Sequence, residues 1–458
     1  MAYMRKLKST LAVIAAVSLL AGCGEKKTSD KADTTEAATT TAAETTEAAT
    51  EDSSSGSSVS EDELVELAKK ILDDITNDNF KTAYDLFSKD LKAQITEEML
   101  IQGWQGIKDE GGNIIKINDA KTESEQGMTV VTLPIDFDKT DFDFLLAFNS
   151  EGGIEGIMFM YPQDEDIEPQ VTATFAETIV TVGEHELKGM LTMPKNAEKP
   201  PIVILIQGSG QHNMNEGSGE LATFNELAHG LAERGVATLR YNKRFFQLPE
   251  LQGDGNYTIQ EEVLDDADAA VKLAKSYVDE GKVSGIYVMG HSLGGCLVPT
   301  IAQKNSDVKG VISLAGTPRD LVDVVIDQLT AQKGEATNDI TKESLQQELD
   351  AAAVMKEGND KDATLLGWGY NYFNSLKELN IGETAKSLDI PMLFLQGDSD
   401  VQVYPDKDFP LWKEYLDGKA NCTFKLYEGL GHFFSDEDGH LNKQVMDDTA
   451  EFIKNSEK

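Results

Sequence analysis

The sequence contains few cysteines, no hydrophobic run long enough to cross a membrane comfortably, and too few cations to balance its acids. Three cysteines in 458 residues cannot form a disulfide framework, so the fold must be stabilised by its core. Lysine and arginine total 41 against 80 aspartates and glutamates, a formal net charge of −39. Nucleic acids and anionic lipids are therefore poor partners, because cations drive binding to phosphate groups. Hydrophobic residues at 40% and charged residues at 26% indicate a globular protein.

The N-terminal residues have the order of a secretory signal. Basic residues precede an apolar run over 11–21, which is short for a membrane span. The run ends in Leu20-Ala21-Gly22-Cys23, which resembles the lipobox of bacterial lipoproteins. The resemblance implies that residues 1–22 are a signal peptide, that Cys23 is acylated, and that the protein is exported and lipid-anchored on the extracytoplasmic side. An ordinary signal peptide with a chance cysteine is the alternative.

A segment of biased composition, 23–60, follows the signal. It is rich in threonine, alanine, glutamate and serine and contains no aromatic residue. Such a segment cannot bury enough apolar surface to offset the entropy of ordering it. We therefore expect a disordered tether between the lipidated cysteine and the folded part of the chain.

Residues 61–161 change from a helical to a strand-like pattern. Apolar residues from Leu64 to Ile75 fall near helical spacing, and four short strand-like runs follow Gly111 and Gly112. This order predicts a small α+β domain. The stretch from Lys81 to Phe148 resembles a small domain of unknown function that often precedes hydrolases in exported bacterial proteins. The resemblance implies a curved sheet wrapped on helices, as in nuclear-transport-factor-like domains.

Residues 170–458 alternate between strand-like and helical segments. This rhythm predicts an α/β fold with a mostly parallel sheet covered by helices on both faces. The continuous apolar run Ile202–Ile206, between Pro201 and Gly208, is typical of a central strand. Mostly helical sequence over about 318–388 interrupts the alternation before it resumes.

A G-x-S-x-G pattern, Gly290 to Gly294, follows a predicted strand and opens a predicted helix. In this context the pattern predicts a nucleophile elbow, which needs small neighbours because strand and helix approach closely around a strained serine. The expected nucleophile is Ser292. Its position at a helix N-terminus favours developing negative charge. A serine cap in a glycine-rich turn is the alternative.

A serine hydroxyl needs a base that an acid holds in one tautomer, and in this fold the chain order is serine, acid, histidine. Asp398 and Asp400 follow one predicted strand and His432 follows the next. Both positions lie at the carboxyl ends of strands, where open α/β sheets place their sites. Three other histidines are predicted to be structural: His185, His229 and His291. His440 follows the acidic run 436–438, which is typical of a solvated face, with a metal site as the alternative.

Residues 170–458 are similar to an α/β-hydrolase of the serine esterase branch related to dienelactone hydrolase and prolyl oligopeptidase. Much of the stretch 372–430 carries the similarity, in addition to the elbow. The resemblance implies an α/β-hydrolase fold in which 318–388 is a helical lid. It places the acid of the family's G-x-x-D-x-x-V pattern on Asp400, with Asp398 as the rival.

The second oxyanion donor is expected in the loop after the strand 202–206, because that loop faces the elbow. The family usually has His-Gly-Ser-Gly-Pro there, and this chain has Gln207-Gly208-Ser209-Gly210-Gln211. The N–H groups of Ser209 and Leu293 are the predicted pair.

The stretch from Arg240 to Arg244 resembles the family's Arg-Tyr-Asp-Lys-Arg, with Asn242 in place of aspartate. Packing of this loop beneath the site is the alternative to a functional role.

The lid sequence contains Trp368, Tyr370 and Tyr372, which are candidates for lining an apolar acyl pocket. Packing of the lid itself is the alternative for these rings. Cys296 and Cys422 are predicted to be structural, since neither has a histidine nearby in sequence that would activate a thiol.

Together these features predict an exported, lipid-anchored carboxylesterase with no metal or organic cofactor, acting on a small-molecule ester through an acyl-enzyme. A serine peptidase or aminoacyl amidase of the same fold is the alternative, and a non-catalytic envelope-binding lipoprotein is a further one.

Overall fold

The computed structural model describes residues 59–457, except 126–127, 139–140, 161–166, 219–220, 253–256, 337–338 and 437. The predicted signal peptide, Cys23 and most of the predicted tether lie outside the described residues. Within those described ranges, no helix is both long and apolar enough to cross a membrane.

The first folded region begins with four helices. They are α1 (Glu61–Thr76), α2 (Phe80–Asp85), α3 (Lys89–Gln94) and α4 (Glu97–Gly111). Helix α1 starts at a capping box, in which the Ser60 hydroxyl accepts from the Glu63 N–H and the Glu63 carboxylate accepts from the Ser60 N–H at 2.9 Å. Ser60 therefore belongs to the folded part, although the sequence places it in the tether.

Five strands follow the helices. They are β1 (Ile114–Ile117), β2 (Lys121–Glu125), β3 (Met128–Phe137), β4 (Phe142–Asn149) and β5 (Ile154–Met160). All pairings are antiparallel, with β3 between β1 and β4 and with β2 also on β3. One apolar cluster joins this sheet to the helices and contains Trp104 and Phe144. The likeness to nuclear-transport-factor domains stays a prediction.

The second region is built on one eight-stranded sheet. Its strands are β6 (Phe175–Val182), β7 (Leu187–Pro194), β8 (Ile202–Ile206), β11 (Ala237–Tyr241), β12 (Ile286–His291), β13 (Val308–Leu314), β16 (Met392–Gly397) and β17 (Cys422–Tyr427), while β9 (Gly217–Ser218), β10 (Leu221–Ala222), β14 (Thr364–Leu365) and β15 (Trp368–Gly369) form two short hairpins outside it. The order across the sheet is β17-β16-β13-β12-β8-β11-β7-β6. The strands from β17 to β11 run parallel, and β7 is antiparallel to both neighbours.

Helices and short helical turns cover both faces of this sheet. The α-helices are α5 (Thr223–Glu233), α6 (Arg244–Gln247), α7 (Asp265–Asp279), α8 (Leu293–Lys304), α9 (Leu321–Glu335), α10 (Asp339–Glu357), α11 (Tyr370–Glu378), α12 (Ile381–Ser387), α13 (Asp408–Tyr415) and α14 (Lys443–Ser456). Along β8, Ile204 belongs to one apolar cluster and Val203 to another, because successive side chains point to opposite faces of a sheet. The continuous apolar run of this strand is explained by burial on both sides.

The chain reverses its direction of progress across the sheet at β8. After β8 it adds β11 on one side, and it then crosses to add β12 on the other. Open α/β sheets bind ligands at such a switch point, outside the carboxyl ends of the strands. The loops that follow β8 and β12 therefore meet above two neighbouring strands, and the loops after β16 and β17 open at the same edge.

The predicted fold class, a mostly parallel sheet covered by helices and preceded by a small α+β domain, is confirmed. The segment 318–388 contains α9 to α12 and the short hairpin of β14 and β15. A π-helical turn, Gln260–Leu264, leads directly into α7. The last helix begins at Lys443, because Asn442 caps it and Leu441 instead bridges to Ser435.

Candidate active site

Ser292 occupies the junction between β12 and α8 in a strained backbone conformation. Its φ is 54° and its ψ is −117°, a region that residues with a Cβ rarely adopt. Its N–H donates to the Leu314 carbonyl at 2.8 Å, which ties the turn to the adjacent strand. Strand, sharp turn and helix in this order form a nucleophile elbow, which presents the serine hydroxyl above the sheet.

The elbow is possible because glycine stands where the backbones touch. A Cβ at Gly290 would lie 2.2 Å from the carbonyl carbon of Gly294, and one at Gly294 would lie 2.1 Å from the Ile206 oxygen. Real Cβ atoms do not approach backbone atoms so closely. The glycines predicted from the motif are therefore required by the contact between α8 and the ends of β8 and β12.

Asp400 and His432 are joined directly. His432 Nδ1 lies 2.8 Å from Asp400 Oδ2, and the two residues are only 7% and 3% exposed. The other carboxylate oxygen of Asp400 accepts from the N–H groups of Gln402 and Val403 at 2.8 and 2.9 Å. A neighbouring amide, Gln396 Nε2, donates to Oδ2 at 2.9 Å. Because these donors orient the carboxylate, the imidazole is held through Nδ1, and Nε2 is the nitrogen that remains for the serine.

The carboxyl of Asp400 is ionised despite its burial. Burial alone raises the pKa of Asp400, but the charge of His432 and the hydrogen bonds from His432, Val403 and Gln402 outweigh it. The resulting pKa lies below the ordinary value of an aspartate. A carboxylate that stays charged can stabilise the imidazolium that forms when His432 takes a proton.

The rival acid, Asp398, has a different role in the structure. Its side chain is exposed, and its Oδ1 accepts from the Gly429 N–H at 2.7 Å and from the Ser399 hydroxyl at 3.0 Å. These contacts brace the turn that follows β16. The geometry therefore favours Asp400, because Asp400 is the residue of the two that bonds the imidazole.

His291 connects the elbow to the segment of His432. Its Nε2 lies 3.0 Å from the His432 carbonyl oxygen, and its Nδ1 lies 3.1 Å from Glu216 Oε1. The two imidazole centroids are 4.7 Å apart. Ser292 is thus next in the chain to a residue that touches His432, and a Cβ at Gly208 would lie 3.1 Å from the Ser292 Cβ.

Glu216 is a residue of this site that the sequence did not indicate. It is 2% exposed and accepts from both His291 and the Gly208 N–H. Burial raises its pKa, but the charge of His291 and the hydrogen bonds it accepts lower the pKa below the ordinary value. Glu216 belongs to no motif, and its partner His291 is far away in the chain, so no local pattern signals their contact.

The loop after β8 holds the predicted donor Ser209. The loop is fixed by contacts of its neighbours: Lys243 Nζ donates to the Gly208 carbonyl at 2.8 Å, and His212 Nε2 lies 2.6 Å from the Ser209 carbonyl. The other predicted donor, the Leu293 N–H, is in the first turn of α8, where backbone N–H groups have no partner within the helix. Both predicted donors therefore flank Ser292, one along the chain and one from β8.

The Arg240 to Arg244 segment packs beneath the site. Arg240 is fully buried and bonds Glu177 Oε1 at 2.9 Å, and Arg244 bonds Asp266 Oδ1 at 2.8 Å. Asn242, for which the sequence resemblance implies aspartate, accepts from the Met214 N–H at 2.9 Å. The substitution preserves an acceptor for the loop backbone.

The three candidate lid aromatics all have partners within the described structure. Trp368 stacks on Tyr372 with ring centroids 5.4 Å apart, and its Nε1 donates to the Tyr257 hydroxyl at 2.7 Å. Tyr370 donates to Asn374 Oδ1 at 2.9 Å, with Lys361 above its ring. Tyr372 is completely buried. These contacts favour lid packing, and the substrate-binding role of the three rings stays a prediction.

The two described cysteines are poor nucleophiles. Cys296 is buried one turn into α8, and burial raises the pKa of its thiol to about 12. Burial also raises the pKa of Cys422. Among the residues that the structure describes, no group of three or more histidine, cysteine or carboxylate side chains is arranged to hold a metal ion.

Comparison with known families agrees with this geometry. Residues 202–438, which include Ser292, Asp400 and His432, match the family model described as Serine aminopeptidase, S33. The chain belongs to this hydrolase family. In this S33-family chain, residues 68–157 match a second model, described as a protein of unknown function (DUF3887). The predicted order of a small domain of unknown function before a hydrolase is therefore confirmed.

The relatives of this family member include esterases. Esterase EstD of Thermotoga maritima is 30% identical over 399 residues, which cover 83% of this chain and 92% of that protein. Among solved structures, Est1E from Butyrivibrio proteoclasticus aligns with 61% of this chain and 98% of its own at 21% identity and a TM-score of 0.43. An esterase from Pyrococcus furiosus aligns with 65% and 97% at 13% identity and a TM-score of 0.43.

Proposed function

We propose that the protein is a carboxylesterase that works through an acyl-enzyme on Ser292. The observation that carries the proposal is the buried pair of His432 and Asp400, 2.8 Å apart, at the sheet edge where Ser292 is held in a strained turn. Similarity to Esterase EstD over most of both chains supports ester hydrolysis as the reaction.

Acylation begins when Ser292 Oγ attacks the carbonyl carbon of the ester. His432 Nε2 takes the hydroxyl proton, and the negative charge of Asp400 stabilises the imidazolium. The carbonyl oxygen becomes an oxyanion, which the N–H groups of Ser209 and Leu293 bind. Such preorganised donors contribute about 3 kcal/mol each to stabilising the transition state.

The tetrahedral intermediate collapses when the C–O bond to the leaving alcohol breaks. His432 gives its proton to the departing oxygen, which leaves Ser292 acylated and the imidazole neutral. Water then attacks the acyl carbon, His432 takes a proton from the water, and the same two N–H groups hold the second oxyanion. The second intermediate collapses when the bond between the acyl carbon and Ser292 Oγ breaks, His432 gives its proton to Oγ, and the carboxylic acid leaves.

Labelling with a fluorophosphonate tests the nucleophile directly. The probe should label the wild-type protein, peptide mapping should place the phosphonyl group on Ser292, and a short-chain aryl ester should protect against it. Ser292→Ala is expected to remain unlabelled, while Ser399→Ala, which alters an exposed serine in the turn before Asp400, should label normally. A label on another residue in the wild-type protein contradicts the proposal.

An aminopeptidase is the second candidate, and the family description is what favours it. Such an enzyme needs an anion for the ammonium group of its substrate. We call the loop after β8, residues 207–211, the oxyanion loop. The two buried carboxylates beside it already have cationic partners: Glu216 pairs with His291, and Glu262 pairs with Lys243. The similarity to Esterase EstD over most of both chains makes ester hydrolysis the better-supported reaction. If aminoacyl amides turn over and aryl esters do not, the peptidase is correct.

The proposal includes export and acylation of Cys23. The basic and apolar order of the first 22 residues and the lipobox-like sequence before Cys23 support it. The expected product is a lipoprotein that holds the hydrolase on the extracytoplasmic side of a membrane. Expression in bacteria with labelled palmitate should label the wild-type protein and not a Cys23→Ser variant. Equal labelling of both proteins contradicts this part of the proposal.

A further inference from the structure

The peptide between Gly208 and Ser209 is the part of the oxyanion loop that must have one particular orientation. A non-proline peptide is planar and trans, so its C=O and N–H point in opposite directions. Whatever fixes the Gly208 carbonyl therefore also fixes the direction of the Ser209 N–H. If the peptide turned over, a carbonyl oxygen would take the place of the donor and would repel the oxyanion.

A buried lysine holds that carbonyl. Lys243 Nζ donates to the Gly208 oxygen at 2.8 Å, and Lys243 is 4% exposed. A hydrogen bond from a charged donor is stronger than one between neutral groups, and its loss inside the protein leaves a polar atom unsatisfied. Turning the peptide over would break this bond. Lys243 thus opposes the orientation that would close the oxyanion hole.

A buried glutamate, Glu262, keeps Lys243 in place. Glu262 Oε1 lies 2.6 Å from Lys243 Nζ, and Glu262 is also 4% exposed. A buried ammonium group is tolerated only when it is paired and hydrogen-bonded. Glu262 lies in the π-helical turn Gln260–Leu264, and such turns are frequent at functional sites.

The surrounding contacts hold the loop from other directions. The Gly208 N–H donates to Glu216, and the Lys243 N–H donates to the His212 carbonyl at 3.1 Å. A Cβ at Gly208 would lie 3.1 Å from that of Ser292, so the peptide is next to the nucleophile. Lys243 lies on the side of the peptide to which the Gly208 carbonyl points, since it donates to that carbonyl.

We propose that Lys243, supported by Glu262, is a positioning residue that keeps the Ser209 N–H directed at the oxyanion, an inference that rests on the proposed esterase activity. Lys243 takes no proton from the substrate and does not touch it. Its contribution is to the transition state, because the substrate carbonyl before attack carries little charge for the Ser209 N–H to stabilise.

The test begins with Lys243→Met, which keeps the length of the side chain and removes its donors. With a short-chain aryl ester, we expect kcat to fall about 10- to 100-fold, less than the ~10²- to 10³-fold lost with an oxyanion donor itself, and KM to change about twofold at most. The inhibition constant of a trifluoromethyl ketone, which forms a tetrahedral oxyanion on the serine, should rise in parallel with the loss of kcat/KM.

Arg244→Met is the matched control. Arg244 follows Lys243 in the chain and is also buried against an acid, Asp266, but its guanidinium bonds that acid rather than the oxyanion loop. The control is expected to lose stability and to keep kcat within about twofold of the wild type. If kcat falls equally in Lys243→Met and Arg244→Met, the loss comes from removing a buried cation that the fold needs. Lys243 then has no specific positioning role, and the inference is wrong.

The double variant Lys243→Met, Glu262→Gln covers the case in which the single variant unfolds because Glu262 is left unpaired. It removes both charges and should fold, while kcat should stay low because the Gly208 carbonyl still lacks its donor. Wild-type kcat in the double variant overturns the inference.

A crystal structure of the double variant gives a readout that does not depend on turnover. The Gly208–Ser209 peptide should be rotated or present in two orientations, whereas in Arg244→Met it should keep its wild-type orientation. An unchanged peptide in the double variant overturns the inference. If instead the wild-type protein hydrolyses no ester, the proposed function fails, and the crystal structures still decide whether Lys243 orients this peptide.

Discussion

His291 Nε2 lies 3.0 Å from the backbone carbonyl oxygen of His432, so the residue before Ser292 supports the segment that carries His432. The other ring nitrogen of His291 lies 3.1 Å from Glu216 Oε1. A carbonyl and a carboxylate are both acceptors, so both ring nitrogens must carry protons. His291 is therefore an imidazolium paired with an ionised Glu216, although both side chains are buried.

The pair predicts a large loss of stability when one member is removed. Glu216→Gln leaves the His291 charge buried without its anion, and the free energy of unfolding should fall by ~3 kcal/mol or more. Adding His291→Gln should recover part of this loss. Asp279→Asn, which breaks the exposed pair of Lys275 and Asp279, is the control and should cost at most ~0.5 kcal/mol. Urea unfolding followed by tryptophan fluorescence measures all of these, and equal losses for the buried and exposed pairs contradict the prediction.

The same pair predicts how stability depends on pH. Burial lowers the pKa of His291, but the charge of Glu216 and the hydrogen bonds to Glu216 and His432 outweigh it and raise the pKa above its ordinary value. A raised folded pKa contributes stability that is fully present below the unfolded value of about 6.5 and is lost as the pH rises through the folded pKa. Glu216 and Asp400 behave oppositely. Their pKa values are lowered in the folded protein, and the stability that this contributes is lost as the pH falls.

Comparing wild type with His291→Gln over pH isolates this term. The difference in urea midpoint should shrink as the pH rises above about 6.5, and it should also shrink in acid, where Glu216 is protonated. Asp398→Asn serves as a control, since it alters an exposed acid outside the pair. A difference between wild type and His291→Gln that grows as the pH rises above about 6.5 shows that His291 is not held as an imidazolium.

Exchanging each acid for its amide separates the two candidates that follow β16. Asp400→Asn should lower kcat by about 10⁴-fold, because an amide there favours the wrong tautomer of His432. Asp398→Asn removes exposed contacts to a turn and should leave kcat within about twofold of the wild type. Ester hydrolysis by the two purified variants measures the difference. The reverse order of activities assigns the acid to Asp398.

Close backbone contact at the elbow predicts a glycine effect. Gly290→Ala places a Cβ 2.2 Å from backbone atoms of Gly294, so α8 must move and the protein should lose more than ~3 kcal/mol of stability. Gly103→Ala is the matched exchange in open space, on the exposed side of α4, and should add ~0.5 to 1 kcal/mol. Thermal unfolding compares the two. Equal behaviour of both variants contradicts the account of the elbow.

Much of this architecture is predictable because its signals are local. The apolar run of β8, the glycines around Ser292 and the order of serine, acid and histidine all lie in short stretches of sequence. The sequence alone does not show whether Asp400 or Asp398 is the acid, because both follow the same strand. The two differ in the partners that their side chains reach in the folded protein. A family pattern pointed to Asp400, and the hydrogen bond to His432 supplies the physical reason.

Other parts of the site depend on contacts between distant residues. The bonds from Glu216 to His291 and from Lys243 to Gly208 each join segments that meet only after the sheet has formed. The sequence indicated packing as one role for the cluster around Lys243, but nothing in it shows which carbonyl that side chain bonds. The burial of Tyr372 is likewise a result of tertiary packing rather than of any local pattern.

The steady-state rate of Ser292→Ala on a short-chain aryl ester tests the central claim most directly. Removing the proposed nucleophile should lower kcat by about 10⁶-fold, with circular dichroism unchanged from the wild type. Hydrolysis by the folded variant at the wild-type rate would contradict the account, because no acyl-enzyme can then form through this serine.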